Sequence, residues 1–428
     1  MKNTLALSRA ISRSLAVCAI LAIVTTLSAC SDKPNGANKL VKPINHSTKP
    51  LSDKHFRPPR FTQVGNDISL PGLAIWGATG RDNNNRIFVG LSSAAYDDAT
   101  AHLLMYDPVT NTSKLQSDAI TQLQRANLYK ENMRQSTLHS KIMSAPDGLL
   151  YFTSFDYSGQ TERRNPTWGG HMWRKFPDAE NWEHVFETNE ALIALNVHGR
   201  FVYTLGYWGH VLYQYDTQSQ SQSKINIGSV QGHRSRNFVI NSAGHIFVPR
   251  TELDANGKVT SVLVEVNEQL GITDVHPLPD YWADDTNDNH GIIGYVKMNN
   301  GDVYFTVSTG GLYQVTQSLT GRHEVNYLGK FDPAFEESYI ASLFSPDGES
   351  MIVGLGRNSE TKGYYWYIRE LTTGLSVNYP LPDLSASQLL YGSVTTDNAG
   401  NMYIVGQNSE DPESPKPIIY KVSFAEEL

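Results

Sequence analysis

Short apolar runs alternate with turns rich in glycine and asparagine along most of the chain. A turn followed by a strand-forming run recurs seven times, at intervals of 45 to 63 residues. An apolar strand precedes each run, and further strands follow it. Four antiparallel strands repeated at this spacing are typical of β-propeller blades. The pattern predicts an all-β fold, a seven-bladed β-propeller, with turns at Asn85, Gly148, Gly199, Gly244, Gly301, Gly348 and Gly400.

The last repeat has room for only three strands before Leu428. We predict that Arg60–Val64, which precedes the first repeat, supplies the fourth strand of the last blade, because an open ring exposes two strand edges. Residues 59–428 are then the propeller domain, and residues 118–128 have the pattern of a short inserted helix. A pair of β-sandwich domains is the alternative architecture.

The beginning of the chain has the features of an export signal. Lys2, Arg9 and Arg13 precede an apolar run at residues 15–24, which is too short for a comfortable membrane-spanning helix. Residues 1–29 are therefore expected to be a signal peptide.

The end of this segment, Leu27-Ser-Ala-Cys30, resembles the lipobox of bacterial lipoproteins. The resemblance implies cleavage before Cys30, a lipid on its sulfur and, with Ser31 next, export to the outer membrane. Residues 30–58 are then the lipidated cysteine and a flexible tether, rich in Lys, Asn, Ser and Pro. An ordinary signal peptide with a chance cysteine is the alternative.

Composition limits the kinds of partner that the domain is expected to bind. The formal net charge is −8, and phosphate binding needs a basic face, so a nucleic-acid partner is not expected. Of the two cysteines, Cys18 lies in the predicted signal, which leaves no disulfide and no thiolate metal site in the mature chain. We expect a monomer whose membrane contact is the lipid anchor alone.

Polar residues recur where the predicted inner strands begin. In a propeller these strands line the axis, and their starts open on the same face as the loops between second and third strands. Three of the seven predicted starts are histidines, although the chain has only 13 histidines. Such side chains are expected to converge on one mouth. The predicted starts lie near Gly72, His139, Glu190, His233, His290, Ser338 and Gln388.

The neighbouring loops add more polar and aromatic side chains to this predicted mouth. Arg234 and Arg236 share one side of a strand because strand side chains alternate. Each residue also has a structural interpretation: histidines bonded between blades, a packed aromatic corner, or arginines paired with Glu190 or Asp284. The loop residues are His171, Tyr207, Trp208, His210 and Arg250.

Histidine, tyrosine and arginine on one face suit β-elimination from a uronic acid. A cation neutralises the C5 carboxylate and acidifies the adjacent proton, a His or Tyr removes that proton, and a second protonates the leaving oxygen. The chain has no Gly-x-Ser-x-Gly elbow and no His-Glu-x-x-His pair. A paired-carboxylate glycosidase would need acidic residues at the mouth.

Two segments, His139-Ser-Lys-Ile-Met and Gly169-Gly-His-Met-Trp, resemble propeller-type ulvan lyases of marine bacteria. The resemblance implies an anionic, uronate-containing polysaccharide as substrate and no cofactor for the chemistry. It implies that the catalytic residues are His139, His171, Tyr207 and Arg234. We expect substrate binding by Arg236, His210, Trp208, Arg250 and Tyr295.

The chain departs from that family in two respects. The loop between His139 and His171 is longer than expected, and Arg236 competes with Arg234 for the role of the arginine. Some relatives hold a structural zinc with cysteines, which His233, His245 and His290 replace only in part.

Other interpretations stay open. The acidic run at residues 284–289 has the composition of a calcium loop but lacks its acidic twelfth ligand, so a structural zinc or calcium is a secondary prediction. Oligogalacturonate lyases are rival propellers, and a non-catalytic, membrane-tethered propeller that binds glycans or scaffolds outer-membrane proteins is the alternative from another class.

Overall fold

The described part of the chain, seen in a computed structural model, is almost entirely strand and turn. It comprises residues 57–65, 72–93, 100–159, 164–230, 232–281, 290–317, 321–334, 338–411 and 414–424. The predicted signal peptide 1–29, the lipidated Cys30 and the predicted tether up to residue 56 lie outside these ranges. Among the described residues, no helix is both long and apolar enough to cross a membrane.

Seven antiparallel sheets form the seven blades of a β-propeller, as predicted. Blade one contains an interrupted inner strand, β2 (Leu73–Ala74) and β3 (Thr79–Arg81), then β4 (Ile87–Ser93), β5 (His102–Asp107) and β6 (Thr112–Asp118). Blade two contains β7 (Met143–Ser144), β8 (Leu150–Phe155), β9 (Gly170–Lys175) and β10 (Glu183–Thr188). Blade three contains β11 (Leu192–His198), β12 (Phe201–Gly206), β13 (Val211–Asp216) and β14 (Gln222–Asn226).

The remaining blades follow the same order from the axis outwards. Blade four contains β15 (Val239–Ile240), β16 (Ile246–Leu253), β17 (Val259–Val266) and β18 (Ile272–Pro277). Blade five contains β19 (Ile292–Lys297), β20 (Val303–Val307), β21 (Gly311–Gln317) and β22 (His323–Lys330). Blade six contains β23 (Ser338–Phe344), β24 (Met351–Asn358), β25 (Tyr364–Glu370) and β26 (Ser376–Pro380). Blade seven contains β27 (Gln388–Thr396), β28 (Met402–Asn408), β29 (Lys416–Ser423) and, from the other end of the domain, β1 (Arg60–Val64).

The hydrophobic core lies between the blades. Every residue of β4, β8 and β12 is buried, because these second strands are covered on both faces by neighbouring blades. Strands buried on both faces carry near-continuous apolar runs instead of an alternating pattern. The outermost strand of a blade is more exposed to solvent, and in β14 four of the five residues are exposed. This gradient explains why the second strand gave the clearest repeat in the sequence.

Ring closure takes place where the sequence predicted it. β1 pairs antiparallel with β29, from Arg60 opposite Ser423 to Val64 opposite Ile419. The Phe61 ring packs edge-on against two aromatic rings of blades six and seven, Trp366 and Tyr420, each with its centroid 6.0 Å away. The outer edge of blade seven is therefore covered by a strand that comes from the beginning of the domain.

The inserted helix is also confirmed. Helix α1 (Ala119–Arg125) begins after Asp118, whose carboxylate accepts a hydrogen bond from the Thr121 N–H and so satisfies one of the free amides of the first turn. Its buried Leu123 packs with Trp182 of blade two. The helix thus covers the junction of blades one and two.

Inner strands begin within a few residues of the predicted positions in five blades. In blades two and four they begin later, at Met143 and Val239, so His139 and His233 precede the regular strand. Serine hydroxyls replace main-chain partners in these irregular stretches. Ser140 Oγ accepts the Thr153 N–H at 3.0 Å, and Ser235 Oγ accepts the Ile292 N–H at 2.9 Å.

Loss of the Phe61 ring should destabilise the whole ring of blades. We expect Phe61→Ala to lower the free energy of unfolding by about 2–3 kcal/mol, because the contacts with Trp366 and Tyr420 are lost. Thr62 is exposed on the same strand, and Thr62→Ala should cost less than about 0.5 kcal/mol. Equal urea midpoints for the two variants would contradict a structural role for β1.

Candidate active site at the mouth of the central channel

Inner-strand residues from several blades line a central channel. A narrow cavity of about 40 Å³ lies among Trp76 of blade one, His139 and Lys141 of blade two, Arg236 of blade four and Tyr295 of blade five. Two predicted site residues, His139 and Arg236, and the predicted substrate-binding Tyr295 therefore line the same cavity. The convergence follows from the fold, because each blade directs its first strand along the axis.

Two histidines and two arginines meet at the mouth of this channel. The Arg236 N–H donates to the His290 carbonyl at 2.9 Å. Burial, and then the positive charges of Arg236 and Arg234, lower the pKa of His139 to about 3. Burial and the same two guanidinium groups hold the pKa of His290 well below its ordinary value. Both imidazoles are therefore neutral at neutral pH.

His139 has a ring nitrogen suited to accepting a proton. Its Nδ1 is buried and has no hydrogen-bond partner among the described residues. A neutral imidazole carries one N–H donor and one acceptor nitrogen. The residue lies in the irregular stretch before β7, where its position does not depend on the regular ladder.

Tyr339 completes this group, and the sequence analysis missed it. Its hydroxyl lies 3.4 Å from His290 Nδ1, and the two rings meet edge-on with centroids 6.0 Å apart. The Arg236 guanidinium lies 5.9 Å from the centre of the Tyr339 ring. The sequence predicted that Ser338, the first residue of the strand, lies at the mouth, whereas the residue that lies there is its neighbour Tyr339. We call His139, His290, Arg234, Arg236 and Tyr339 the mouth cluster.

A wider cleft adjoins the mouth cluster at blades five to seven. It measures about 330 Å³, shares His290 and Tyr339 with the cluster, and is also lined by Arg357, Lys362 and Tyr364. None of the described residues that line this cleft or the channel is acidic. The described walls of the cleft and the channel therefore carry a local positive charge.

Lys141 lies deeper in the channel. Its ammonium group is 3.6 Å from the centre of the Tyr295 ring, a cation–π contact. Burial lowers the pKa of Lys141 to about 7 and raises that of the Tyr295 hydroxyl. Tyr295 thus contacts the Lys141 side chain in the channel, a contact that its sequence position did not indicate.

The structure does not bring His171 into the mouth cluster. The side chain is 1% exposed, its Nδ1 is hydrogen-bonded to His184 Nε2 at 3.0 Å, and its ring stacks on Trp173. Burial and the neighbouring His184 lower the pKa of His171 to about 3. In the described part of the chain the contacts of the His171 ring are with residues of its own blade. The expectation that His139 and His171 share one mouth, and the catalytic role of His171, stay predictions.

Tyr207, Trp208 and His210 form a packed corner of blade three. Tyr207 is 5% exposed, with ring centroids 5.9 Å from Phe155 and 5.2 Å from Trp208. His210 is fully buried and its Nδ1 donates to the Pro249 carbonyl at 2.8 Å. Trp208 and His210 have φ angles of +57° and +47°, left-handed values typical of a tight turn. This geometry matches the structural interpretation of the three residues, and their proposed roles toward substrate stay predictions.

Arg250 and Glu190 have partners of their own. Arg250 forms an ion pair with Glu252 and donates to the Ile227 carbonyl at 3.2 Å. Burial raises the pKa of Glu190 to about 7, and the Tyr213 hydroxyl donates to it at 3.4 Å. Glu190 therefore bonds within blade three, and Asp284, the other acid considered for the two arginines, lies outside the described residues.

The three histidines considered for a metal do not form one site. His233 is fully buried between the Ser229 hydroxyl, at 2.8 Å, and the Tyr281 hydroxyl, at 2.7 Å. His290 belongs to the mouth cluster, whereas His245 lies 2.6 Å from a carboxylate oxygen of Glu265. A metal held jointly by the three does not fit their separate partners, and the acidic run at 284–289 lies outside the described residues.

Comparisons with known proteins establish the fold and leave the function open. No protein-family model matches the chain, and no curated protein is similar to it. An ulvan lyase of polysaccharide lyase family PL25, bound to -[GlcA(1-4)Rha3S]-, superposes with a TM-score of 0.51 at 13% identity, over 85% of this chain and 96% of that one.

A structure of YCF48 shares the same fold. YCF48 bound to a D1 peptide gives a TM-score of 0.51 at 9% identity, over 87% of this chain and 97% of that one. YCF48 from Cyanidioschyzon merolae gives 0.47 at 10% identity, over 85% and 98%. The propeller is therefore shared with a lyase and with another kind of protein, and function has to be argued from the site.

The neutral state of His139 has a measurable consequence for stability. A histidine whose folded pKa lies below its unfolded value of about 6.5 stabilises the fold at neutral pH and loses that contribution as pH falls toward the folded pKa. We expect the wild-type chain to be less stable at pH 5 than at pH 7.5, and His139→Gln to remove about 1–2 kcal/mol of this loss. Urea midpoints at the two pH values measure it.

Thr62, exposed on β1, provides a control that does not titrate. Thr62→Ala should keep the wild-type dependence on pH. A His139→Gln variant that lost as much stability on acidification as the wild type would show that His139 ionises normally in the folded chain.

Proposed function

We propose that the chain is a polysaccharide lyase that cleaves a uronate-containing anionic polymer by β-elimination at the mouth cluster. The observation that carries the proposal is the meeting of a neutral histidine, two arginines and a tyrosine at one end of the channel. Ulvan is the first polymer to test, both from the sequence resemblance and because an ulvan lyase shares the fold.

Arg234 and Arg236 are the proposed carboxylate site. Guanidinium groups bind carboxylates in a planar, charge-assisted geometry, and the charge they neutralise is the one that makes the C5 proton hard to remove. A bound carboxylate also offsets the positive charge that lowers the pKa of His139. Substrate binding therefore makes His139 a stronger base at the step where it is needed.

The elimination then uses two groups of the cluster. His139 takes the C5 proton, the electron pair of that bond forms the C4–C5 double bond, and the C4–O bond breaks. The Tyr339 hydroxyl donates its proton to the leaving oxygen and is later reprotonated through water. His290 Nδ1, 3.4 Å from that hydroxyl, positions it. In this scheme His290 and Tyr339 take the places that the resemblance gives to His171 and Tyr207.

The adjoining cleft accounts for binding of a polymer. Arg357 and Lys362 place further positive charge along the wall that begins at His290 and Tyr339. Carboxylate or sulfate groups on neighbouring sugars would meet these cations. The signal peptide, the lipid on Cys30 and the outer-membrane location stay predictions, and they suit an enzyme that meets its polymer outside the cell.

The wild-type chain should generate unsaturated uronate ends from at least one polymer. Incubation with ulvan, polygalacturonate, alginate and glucuronan, followed by ultraviolet absorbance of the new double bond, tests this. Absorbance with none of them would overturn the lyase proposal. Retention of the same polymers on an affinity gel would then favour a glycan-binding propeller.

Substitutions in the mouth cluster should separate chemistry from folding. We expect His139→Asn and Tyr339→Phe each to lower kcat by about 10²–10⁴-fold, since each removes one proton-transfer group. Arg236→Ala should lower kcat and raise KM, because the carboxylate is held in ground state and transition state. Melting temperatures should confirm that the variants are folded.

Two further variants serve as controls for these kinetics. Tyr379 lies on the outer strand β26, and Tyr379→Phe should keep the wild-type rate. His171→Asn should keep most turnover. A folded His171→Asn variant without activity, together with an active Tyr339→Phe variant, would place the reaction at the residues named by the resemblance and not at the mouth cluster.

A further inference from the structure

A second group of histidines lies on the face of the propeller opposite the mouth. His245 ends the turn between β15 and β16, Glu265 lies near the end of β17, and His323 begins β22. The mouth is where inner strands begin, so the turns between first and second strands and between third and fourth strands lie at the other end. The group therefore joins blades four and five at a distance from the mouth cluster.

Two imidazole nitrogens approach one carboxylate oxygen in this group. His245 Nδ1 lies 2.6 Å and His323 Nδ1 lies 2.9 Å from Glu265 Oε1. The two imidazole centroids are only 4.5 Å apart. Two imidazole nitrogens and a carboxylate oxygen grouped in this way are a ligand set for a divalent ion.

The donor atoms have the spacing that a small metal ion requires. One nitrogen of each histidine and one oxygen of Glu265 all lie within 4.8 Å of one another. Ligand atoms about 2.0–2.1 Å from a tetrahedral Zn²⁺ are roughly 3.3 Å apart, so small side-chain rotations would fit the ion. Glu265 and His323 are 3% and 4% exposed, and they are held by strands of two different blades.

A fourth residue orients the carboxylate. His276 Nε2 lies 3.0 Å from the other oxygen, Oε2, of Glu265, and the Thr273 hydroxyl donates to Oε1 at 2.9 Å. Residues that hydrogen-bond a metal ligand in this way fix its direction and raise metal affinity. In a site made of His245, Glu265 and His323, His276 is thus a positioning residue.

Solvent reaches the group through a surface depression. The depression is lined by the three donor residues together with Asp274 and Arg322, and the His245 side chain is 28% exposed. An ion can enter without opening the blades. Three protein ligands would leave a fourth position for water.

We propose that His245, Glu265 and His323 form a zinc site that ties blade four to blade five. Imidazole and carboxylate donors in a three-ligand set suit Zn²⁺ better than Ca²⁺ or Mg²⁺, which take oxygen ligands. The site is independent of the proposed lyase reaction, since it lies on the other face and no step of that reaction uses it.

The test is zinc binding by the full chain without a histidine tag. The wild-type chain should bind one Zn²⁺, measured by calorimetry and metal analysis, and its melting temperature should rise by at least about 2 °C. His245→Ala and Glu265→Gln should weaken binding by more than about 100-fold, because each removes a ligand from a site that has only three. His102→Ala, a histidine change in blade one, should leave binding unchanged.

The positioning role of His276 gives a graded readout. His276→Ala should weaken zinc binding by about 10–100-fold, and His276→Gln, which keeps a donor toward Oε2, should restore part of it. Circular dichroism without metal shows whether each variant is folded. His245→Ala is the variant least expected to disturb folding, because His245 is the most exposed of the three ligands. No binding by the wild type, or equal binding by folded His245→Ala and Glu265→Gln variants, would overturn the site.

Discussion

Closure of the ring by β1 is the interaction on which the rest of the structure depends. Seven blades surround one axis only if the last blade is completed, and here Arg60–Val64 does this by pairing with Ile419–Ser423. Neighbouring blades bury each other's second strands, so an opened ring would expose continuous apolar faces and two strand edges. It would also release the inner strands, and the channel side chains would no longer meet.

Convergence at the axis has an electrostatic consequence. Arg234 and Arg236 are half-buried, and burial together with their positive charge keeps the nearby imidazoles of His139 and His290 neutral. In the proposed reaction, an anion bound at the mouth would offset this positive charge and allow His139 to take a proton.

The sequence revealed the fold more completely than the site. Strand and turn periodicity is local, so the blades, the closing strand and α1 followed from it. The direction of a side chain depends on pleat and burial, which is why His171 and His210 face blade interiors although they lie at strand starts. Tyr339, one residue after the predicted start of its strand, was missed for the same reason, and the group around Glu265 joins residues from two blades that no short motif connects.

The irregular parts of the inner ring coincide with the candidate chemistry. His139, Arg234 and Arg236 all precede a shortened inner strand, in blades two and four, and the hydroxyls of Ser140 and Ser235 take over the hydrogen bonds that a regular ladder would make. In a regular ladder, main-chain carbonyl groups of the inner strand would accept these N–H groups, and no serine hydroxyl would be needed. The two blades that supply the mouth share this local departure from strand geometry, and side chains stabilise it in both. Such a departure is expected at positions selected for function more than for packing.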